Sequence, residues 1–153
     1  MLDHDLATMR IALAEAQVAA DAGEAPVGAV VFDPAAGQVV AKASNQPIGL
    51  SDPTAHAEIL ALRAAARIVG NYRLSGLELF VTLEPCAMCA GAISHARIAR
   101  LVFGADDEKG GAVVHGPRFF DQPTCHWRPK VTGGVLGEES AALLRGFFKA
   151  RRG

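Results

Sequence analysis

The chain has 153 residues, enough to bury roughly 68–70% of its unfolded surface, so one domain with a full core is expected without disulfides. Half of the residues are hydrophobic and 20% are charged, the make-up of a soluble globular protein, and no apolar stretch is long enough to span a bilayer. The net charge of −1 excludes a global pull towards nucleic acid, so any such partner needs a local basic patch.

The acidic start, Met1-Leu2-Asp3-His4-Asp5, lacks a basic lead into an apolar run, so no signal peptide is read there and a cytoplasmic location is expected. Leu6, Met9, Leu13, Ala16 and Val18 lie in a helix-like run that stops at Gly23. Val27 to Phe32 is a β-rich apolar run, Asp33-Pro34-Ala35-Ala36-Gly37 is turn chemistry, and Val39 to Ala43 returns as the second strand of a hairpin. Ser51-Asp52-Pro53-Thr54 is expected to open a second helix that runs to Gly70. Leu77 to Leu83 reads as a buried strand, Cys86 to His95 as a helix introduced by Pro85, and Ile98 to Phe103 as another strand. Residues 105–130 carry several glycines and prolines, which argue for loops or short helical turns. Val131-Thr132 begins a last short strand, and Glu138 to Arg152 closes the chain as a helix with Leu143, Leu144, Phe147 and Phe148 on one stripe. Helices alternating with buried strands predict an α/β fold, a three-layer α/β/α sandwich, and the early hairpin makes its central sheet mixed.

The chemistry is concentrated in two short segments. His56-Ala57-Glu58 supplies an imidazole and a carboxylate, and Pro85-Cys86-Ala87-Met88-Cys89 supplies two thiols. Three such donors hold zinc and leave a fourth position for water, while a nearby carboxylate can move protons. Cys86 and Cys89 share one helix face, and a helix start favours thiolates over thiols. His56 and Glu58 are two apart, so both reach one ion only if it lies off the N-terminal end of their helix. The expected arrangement is two helix N-termini converging on one Zn²⁺ per subunit.

Alternatives stand beside each of these readings. The third cysteine, Cys125, or its neighbour His126 could complete a closed structural tetrahedron, although neither has metal-ligand spacing; a buried free thiol is the plainer reading of Cys125. The CxxC alone could be a redox pair, and Glu58 alone could be a first-turn carboxylate favoured by the helix dipole. Asn45 before Pro47 fits a turn as well as a base contact.

The order H-x-E followed by P-C-x-x-C resembles the signature of zinc-dependent nucleobase deaminases. The likeness extends through Asp52-Pro53-Thr54-Ala55-His56-Ala57-Glu58-Ile59 and Thr82-Leu83-Glu84-Pro85-Cys86-Ala87-Met88-Cys89-Ala90-Gly91-Ala92-Ile93 to Pro26-Val27-Gly28-Ala29-Val30, Asn45-Gln46-Pro47-Ile48-Gly49 and the closing Leu143-Leu144-Arg145-Gly146-Phe147-Phe148. Over most of its length, from about residue 5, the chain resembles the bacterial tRNA adenosine deaminases. That resemblance implies a cytidine-deaminase-like fold, a homodimer, and conversion of the wobble adenosine in a tRNA anticodon stem-loop to inosine. It implies zinc on His56, Cys86 and Cys89 and proton transfer by Glu58. Asn45, the Ala57 backbone and Val27 would contact the flipped base, and Asp107 the RNA backbone. Arg145, Lys149, Arg151 and Arg152 give the C-terminus a basic face for phosphates, or a helix end whose cations suit the dipole, and Phe148 could stack on a base. Residues 110–127 depart from the best-known members. Two other functions remain compatible with the same residues: deamination of a free base such as guanine or cytosine, and a non-catalytic zinc scaffold.

Overall fold

The computed structural model describes residues 1–152. In chain order the elements are α1 (Asp5–Asp21), β1 (Gly28–Asp33), β2 (Gln38–Ser44), α2 (Ala57–Val69), β3 (Glu78–Leu83), α3 (Ala87–His95), β4 (Arg100–Ala105), β5 (Lys130–Thr132) and α4 (Gly137–Arg152), with a single 3-10 turn at Phe119–Asp121. The strands form one sheet in the order β2-β1-β3-β4-β5. β1 pairs antiparallel with both β2 and β3, whereas β3, β4 and β5 run parallel. The sheet is therefore mixed, as the early hairpin predicts.

Strand side chains alternate between two cores, because successive residues point to opposite faces. Val31, Leu79, Val81, Leu101 and Phe103 join Ala57, Ala61 and Leu62 of α2 and Ala90 and Ile93 of α3 on one side. Val30, Phe32, Phe80 and Val102 join Met9 and Ala12 of α1 on the other. With α4 packed on that second side against β3 and β4, the architecture is the expected α/β/α sandwich. The face that α1 turns to the sheet is small: Ala12, Ala16 and Ala19 are buried, and a Cβ on Gly28 would lie 2.0 Å from the Ala12 carbonyl oxygen. Only glycine lets helix and strand backbones approach this closely.

A buried ion-pair network fastens the start of α1 to the sheet. Arg100 on β4 donates from Nη1 and Nη2 to the two carboxylate oxygens of Asp5 at 2.8 and 2.6 Å, and its Nη1 lies 3.6 Å from Glu78 on β3. Asp5 is fully buried and Glu78 nearly so. Arg100→Ala leaves the fully buried Asp5 without its two-pronged cation, while Glu78 keeps its 2.6 Å contact with His4 Nε2, and we expect it to lower stability by about 3–5 kcal/mol, read as a fall in the urea midpoint with unchanged slope.

Two expectations need correction. Ser51-Asp52-Pro53-Thr54 does not open α2: Thr54 donates its N–H and its Oγ1 hydroxyl to Asp52 Oδ1, each at 2.8 Å, and the helix starts three residues later with His56 as N-cap. The competing force is the side-chain turn that Asp and Thr form with their own backbone. On α4, Leu143, Leu144 and Phe147 are half-buried, but Phe148 is 44% exposed and does not share their stripe. Among the described residues, no helix is long and apolar enough to cross a membrane.

Residues 106–129 contain no strand and are held by side chains. Trp127 donates its indole N–H to the Ile98 carbonyl at 2.7 Å, and Arg128 donates to the carbonyls of Phe120 and Gln122.

Candidate active site and metal centre

The site lies at one edge of the sheet, where β2, β3 and β4 end and β1 begins. The chain leaves β2 into Asn45, β3 into Glu84 and β4 into Asp106-Asp107. Open sheets bind ligands beyond the carboxyl ends of their strands, and here α2 and α3 both start at that edge. His56 is the N-cap of α2 and Cys86 the N-cap of α3, each with extended backbone angles that aim its side chain off the helix end.

The two ends meet. His56 Nδ1 lies 3.6 Å from Cys86 Sγ and 3.5 Å from Cys89 Sγ, and the three donor atoms all fall within 4.8 Å of one another. A tetrahedral zinc with bonds of about 2.0–2.1 Å to nitrogen and 2.3 Å to sulfur sets nitrogen–sulfur separations of about 3.5–3.6 Å. The spacing of these residues therefore fits zinc. In the metal-free protein the hydrogen bond from Cys89 pushes the Cys86 thiol down to about 5, helped by the N–H groups of Cys89 and Met88 and by His56, against the opposing effect of burial. The same hydrogen bond, together with burial and the nearby Glu58, pushes Cys89 up, so that the pair keeps one proton.

Glu58 lies in the first turn of α2, two residues after His56, and is only 4% exposed. Burial is the main reason its carboxyl is held above the ordinary range, with Cys86 adding to the effect. A cleft of about 230 Å³ opens over these groups, lined by Val27, Asn45, His56, Glu58, Cys86 and Asp107 together with Ala25, Leu83, Glu84 and Gly110. Asn45 donates from Nδ2 to the Ala25 carbonyl at 3.3 Å, and its Oδ1 makes no hydrogen bond within the described chain.

The structure thus gathers six of the sequence-derived residues around one cleft. Ala57, between His56 and Glu58, is fully buried and does not line the cleft. Phe148, Arg151 and Arg152 lie on the last turns of α4, outside the cleft lining, with the Arg151 guanidinium 4.2 Å above the Phe147 ring. Cys125 is not a fourth ligand: its thiol donates to the Trp127 carbonyl at 3.1 Å and lies 3.6 Å from Ser94 Oγ. His126 lines a separate cavity with Cys125, and among the described residues the only metal-compatible cluster is His56, Cys86 and Cys89. The protein therefore offers three donors, and an ion they held would keep a position for water, as hydrolytic chemistry requires.

Two buried carboxylates support the surroundings of the cleft, Glu84 in its lining and Glu24 behind the turn after Asn45, and neither is read as functional from sequence. Glu24 accepts N–H bonds from Ile48 and Gly49 at 3.1 and 2.7 Å and so steadies the turn that follows Asn45. Glu84, 2% exposed, accepts from the N–H groups of Asp107, Val113, Val114 and His115 and pairs with the His115 ring at 2.8 Å. Burial pushes its carboxyl up, but those hydrogen bonds more than offset it and leave Glu84 below its ordinary value. The signal for Glu84 was its place directly before Pro85-Cys86; its partners lie 23 to 31 residues away, beyond any local pattern.

The cytidine and deoxycytidylate deaminase zinc-binding region matches residues 2–105, a stretch that contains the whole His/Cys/Cys cluster and Glu58. The chain belongs to this family. The family's hydrolases act through zinc. The tRNA-specific adenosine deaminase of Agrobacterium fabrum is 53% identical over 145 residues, covering 94% of this chain and 93% of that one. A structure solved in a study of A-to-I editing by tRNA:A34 deaminases at the wobble position of transfer RNA superposes with a TM-score of 0.88 at 51% identity, covering 90% of this chain and 99% of that one. The guanine deaminase of Nitrosomonas europaea superposes with a TM-score of 0.80 at 27% identity, covering 92% and 82% of the two chains.

Proposed function

We propose that the chain, over residues 1–153, acts as one zinc-dependent deaminase domain that converts the wobble adenosine of a tRNA anticodon stem-loop to inosine and ammonia. The observation that carries the reading is the buried Glu58 carboxyl in the same cleft as the open His56/Cys86/Cys89 cluster. The much greater similarity to tRNA deaminases than to a guanine deaminase supports RNA over a free base as substrate.

Zinc bound by His56, Cys86 and Cys89, one ion per subunit, supplies Lewis acidity that lowers the pKa of water towards neutrality. Glu58 takes the proton of the attacking water, which adds to C6 of the adenine. It passes that proton to the ring nitrogen N1, then takes the second proton from the hydroxyl now on C6 and hands it to the amine, which leaves as ammonia. One carboxyl serves as base and then as acid because each proton it takes is given back within the same turnover. Asn45, with its free Oδ1, holds the edge of the flipped base, Val27 packs on its face, and the Ala57 backbone reads the same edge. Asp107 lies at the cleft mouth, where the RNA backbone passes. The basic end of α4, with Arg151, Arg152 and the exposed Phe148, contacts RNA beyond the target nucleotide. The working form is a cytoplasmic homodimer.

A stem-loop assay tests the reading. Inosine should form on an anticodon stem-loop with adenosine at the wobble position, and no uridine on the version with cytidine there. Ammonia release from free guanine or cytosine, with no inosine on RNA, would instead establish a free-base deaminase. Stoichiometric zinc with no deamination of any of these would establish a scaffold.

A further inference from the structure

The carboxylate of Glu84 carries more hydrogen bonds than any other side chain in the described protein, and all of its partners lie in one segment. Oε1 accepts from the Asp107 N–H at 2.9 Å and faces His115 Nδ1 at 2.8 Å. Oε2 accepts from the N–H groups of Val113, Val114 and His115 at 3.1, 2.9 and 3.1 Å. The loop is drawn in so closely that a Cβ on Gly111 would lie 2.5 Å from both the Glu84 carboxylate and the Asp107 carbonyl, so the packing requires glycine there. Between Asp107 and His115 the segment forms no helix or strand; besides Glu84 it is tied to the body by Ala112 N–H to the Pro85 carbonyl at 2.9 Å and by Val113, which packs into the main core, whereas Asp107 to Gly110 have no such core contact.

What the loop does is fixed by where it lies. Asp107 and Gly110 line the cleft, in company with Val27, Asn45 and Glu58. Glu84 stands between the end of β3 and the ligand Cys86, so it ties that cleft wall to the strand that also delivers the metal cluster. We propose that Glu84 is a positioning residue for the substrate nucleoside. Closed by its bond to His115, it fixes Asp107 and Gly110 as a rigid wall and so sets how well the target nucleotide is held, not how fast the bond is broken. This rests on the deaminase reading given above. His115 is the replaceable part of the device, because its side chain is partly exposed and the four backbone donors to Glu84 remain in place when its ring is changed, held less firmly without it.

The test uses the full-length, zinc-loaded protein and four forms: wild type, His115→Asn, His115→Ala and Glu84→Gln. The asparagine Nδ2 can stand where the imidazole Nδ1 stands and keep the bond, whereas alanine loses it. In Glu84→Gln the amide oxygen can still serve Val113, Val114 and His115, but the amide NH₂ then faces the Asp107 N–H, donor against donor. We expect unchanged zinc content in all forms. KM for the stem-loop should rise about tenfold in His115→Ala and Glu84→Gln, the equivalent of one hydrogen bond to a charged group, with kcat nearly unchanged. His115→Asn should match wild type. Hydrogen exchange at the amides of Asp107 and Val113 to His115 should quicken in the same order, an outcome that does not depend on turnover. A KM unmoved in both deficient variants, or a fall in kcat alone, overturns the inference. Wild-type protein that makes no inosine on RNA but releases ammonia from free guanine overturns the RNA reading instead, and the same KM order on guanine then decides the inference. If the wild type turns over neither, the positioning role falls together with the deaminase reading.

Discussion

Glu58→Ala should reduce inosine formation on the stem-loop by at least about 10²–10⁴-fold while leaving one zinc per chain, the usual loss when a general acid–base group is removed. The side chain can be removed without dismantling the site, because the metal cluster is built from His56, Cys86 and Cys89 alone. Its removal from the first turn of α2 forfeits a dipole interaction worth less than about 1 kcal/mol, so the helix and the fold should survive. The loss should fall on kcat, since the carboxyl moves protons in the reaction and is not needed to hold the RNA. Burial already pushes this carboxyl above its ordinary range, the direction that suits a group that must accept a proton and give it back near neutral pH. Parallel measurements of inosine yield and bound metal decide the matter: near-normal turnover with full zinc would remove Glu58 from the chemistry, and loss of zinc would make it a structural partner of the cluster.

The second large effect is on metal affinity and its dependence on pH. In the metal-free protein Cys86 is the thiolate, pushed down to about 5, and Cys89 keeps its proton because its pKa is raised. Zinc binds both sulfurs as thiolates, so uptake near neutral pH must expel the Cys89 proton. The sign follows directly. As pH falls, protons compete with the metal and the apparent affinity drops, by at least about tenfold per pH unit for the one thiol. Below about pH 5 the slope steepens, because Cys86 then takes up a proton as well. Competition against a chromophoric chelator over a pH series reads this slope, and calorimetry in buffers of different ionisation enthalpy reads the proton count. Affinity that does not change with pH would show that both thiols are already ionised in the metal-free protein. Cys89→Ala should abolish stoichiometric zinc and deamination together, with the sheet retained, since the two apolar cores meet on β-strands that do not include the cluster.

Much of the fold is legible along the chain. Every helix and strand expected from apolar periodicity is found, from α1 to the short β5, because each is encoded within its own window by spacing, β-branched runs and turn residues. The start of α2 is the exception. Asp52-Pro53-Thr54 looks like a helix opening, yet the Asp52–Thr54 turn satisfies itself and passes the N-cap to His56. That short shift matters for function, because only an N-cap lets His56 point off the helix while Glu58, inside the first turn, borders the same cleft.

The sequence by itself determined which atoms are available: one imidazole, a CxxC pair behind a proline, a carboxyl two residues from the histidine, and a series of amphipathic elements long enough to bury them. Side-chain chemistry and local periodicity are properties of neighbouring residues, so they can be read without knowing the fold. The tertiary structure alone decided that β1 lies antiparallel between β2 and β3, that Cys125 bonds to Trp127 and stands apart from the metal cluster, and that Glu84 gathers a loop some thirty residues downstream around the cleft. Those outcomes depend on which distant backbone groups find each other once the two cores close, and buried polar atoms accept whatever partners that closure brings within reach.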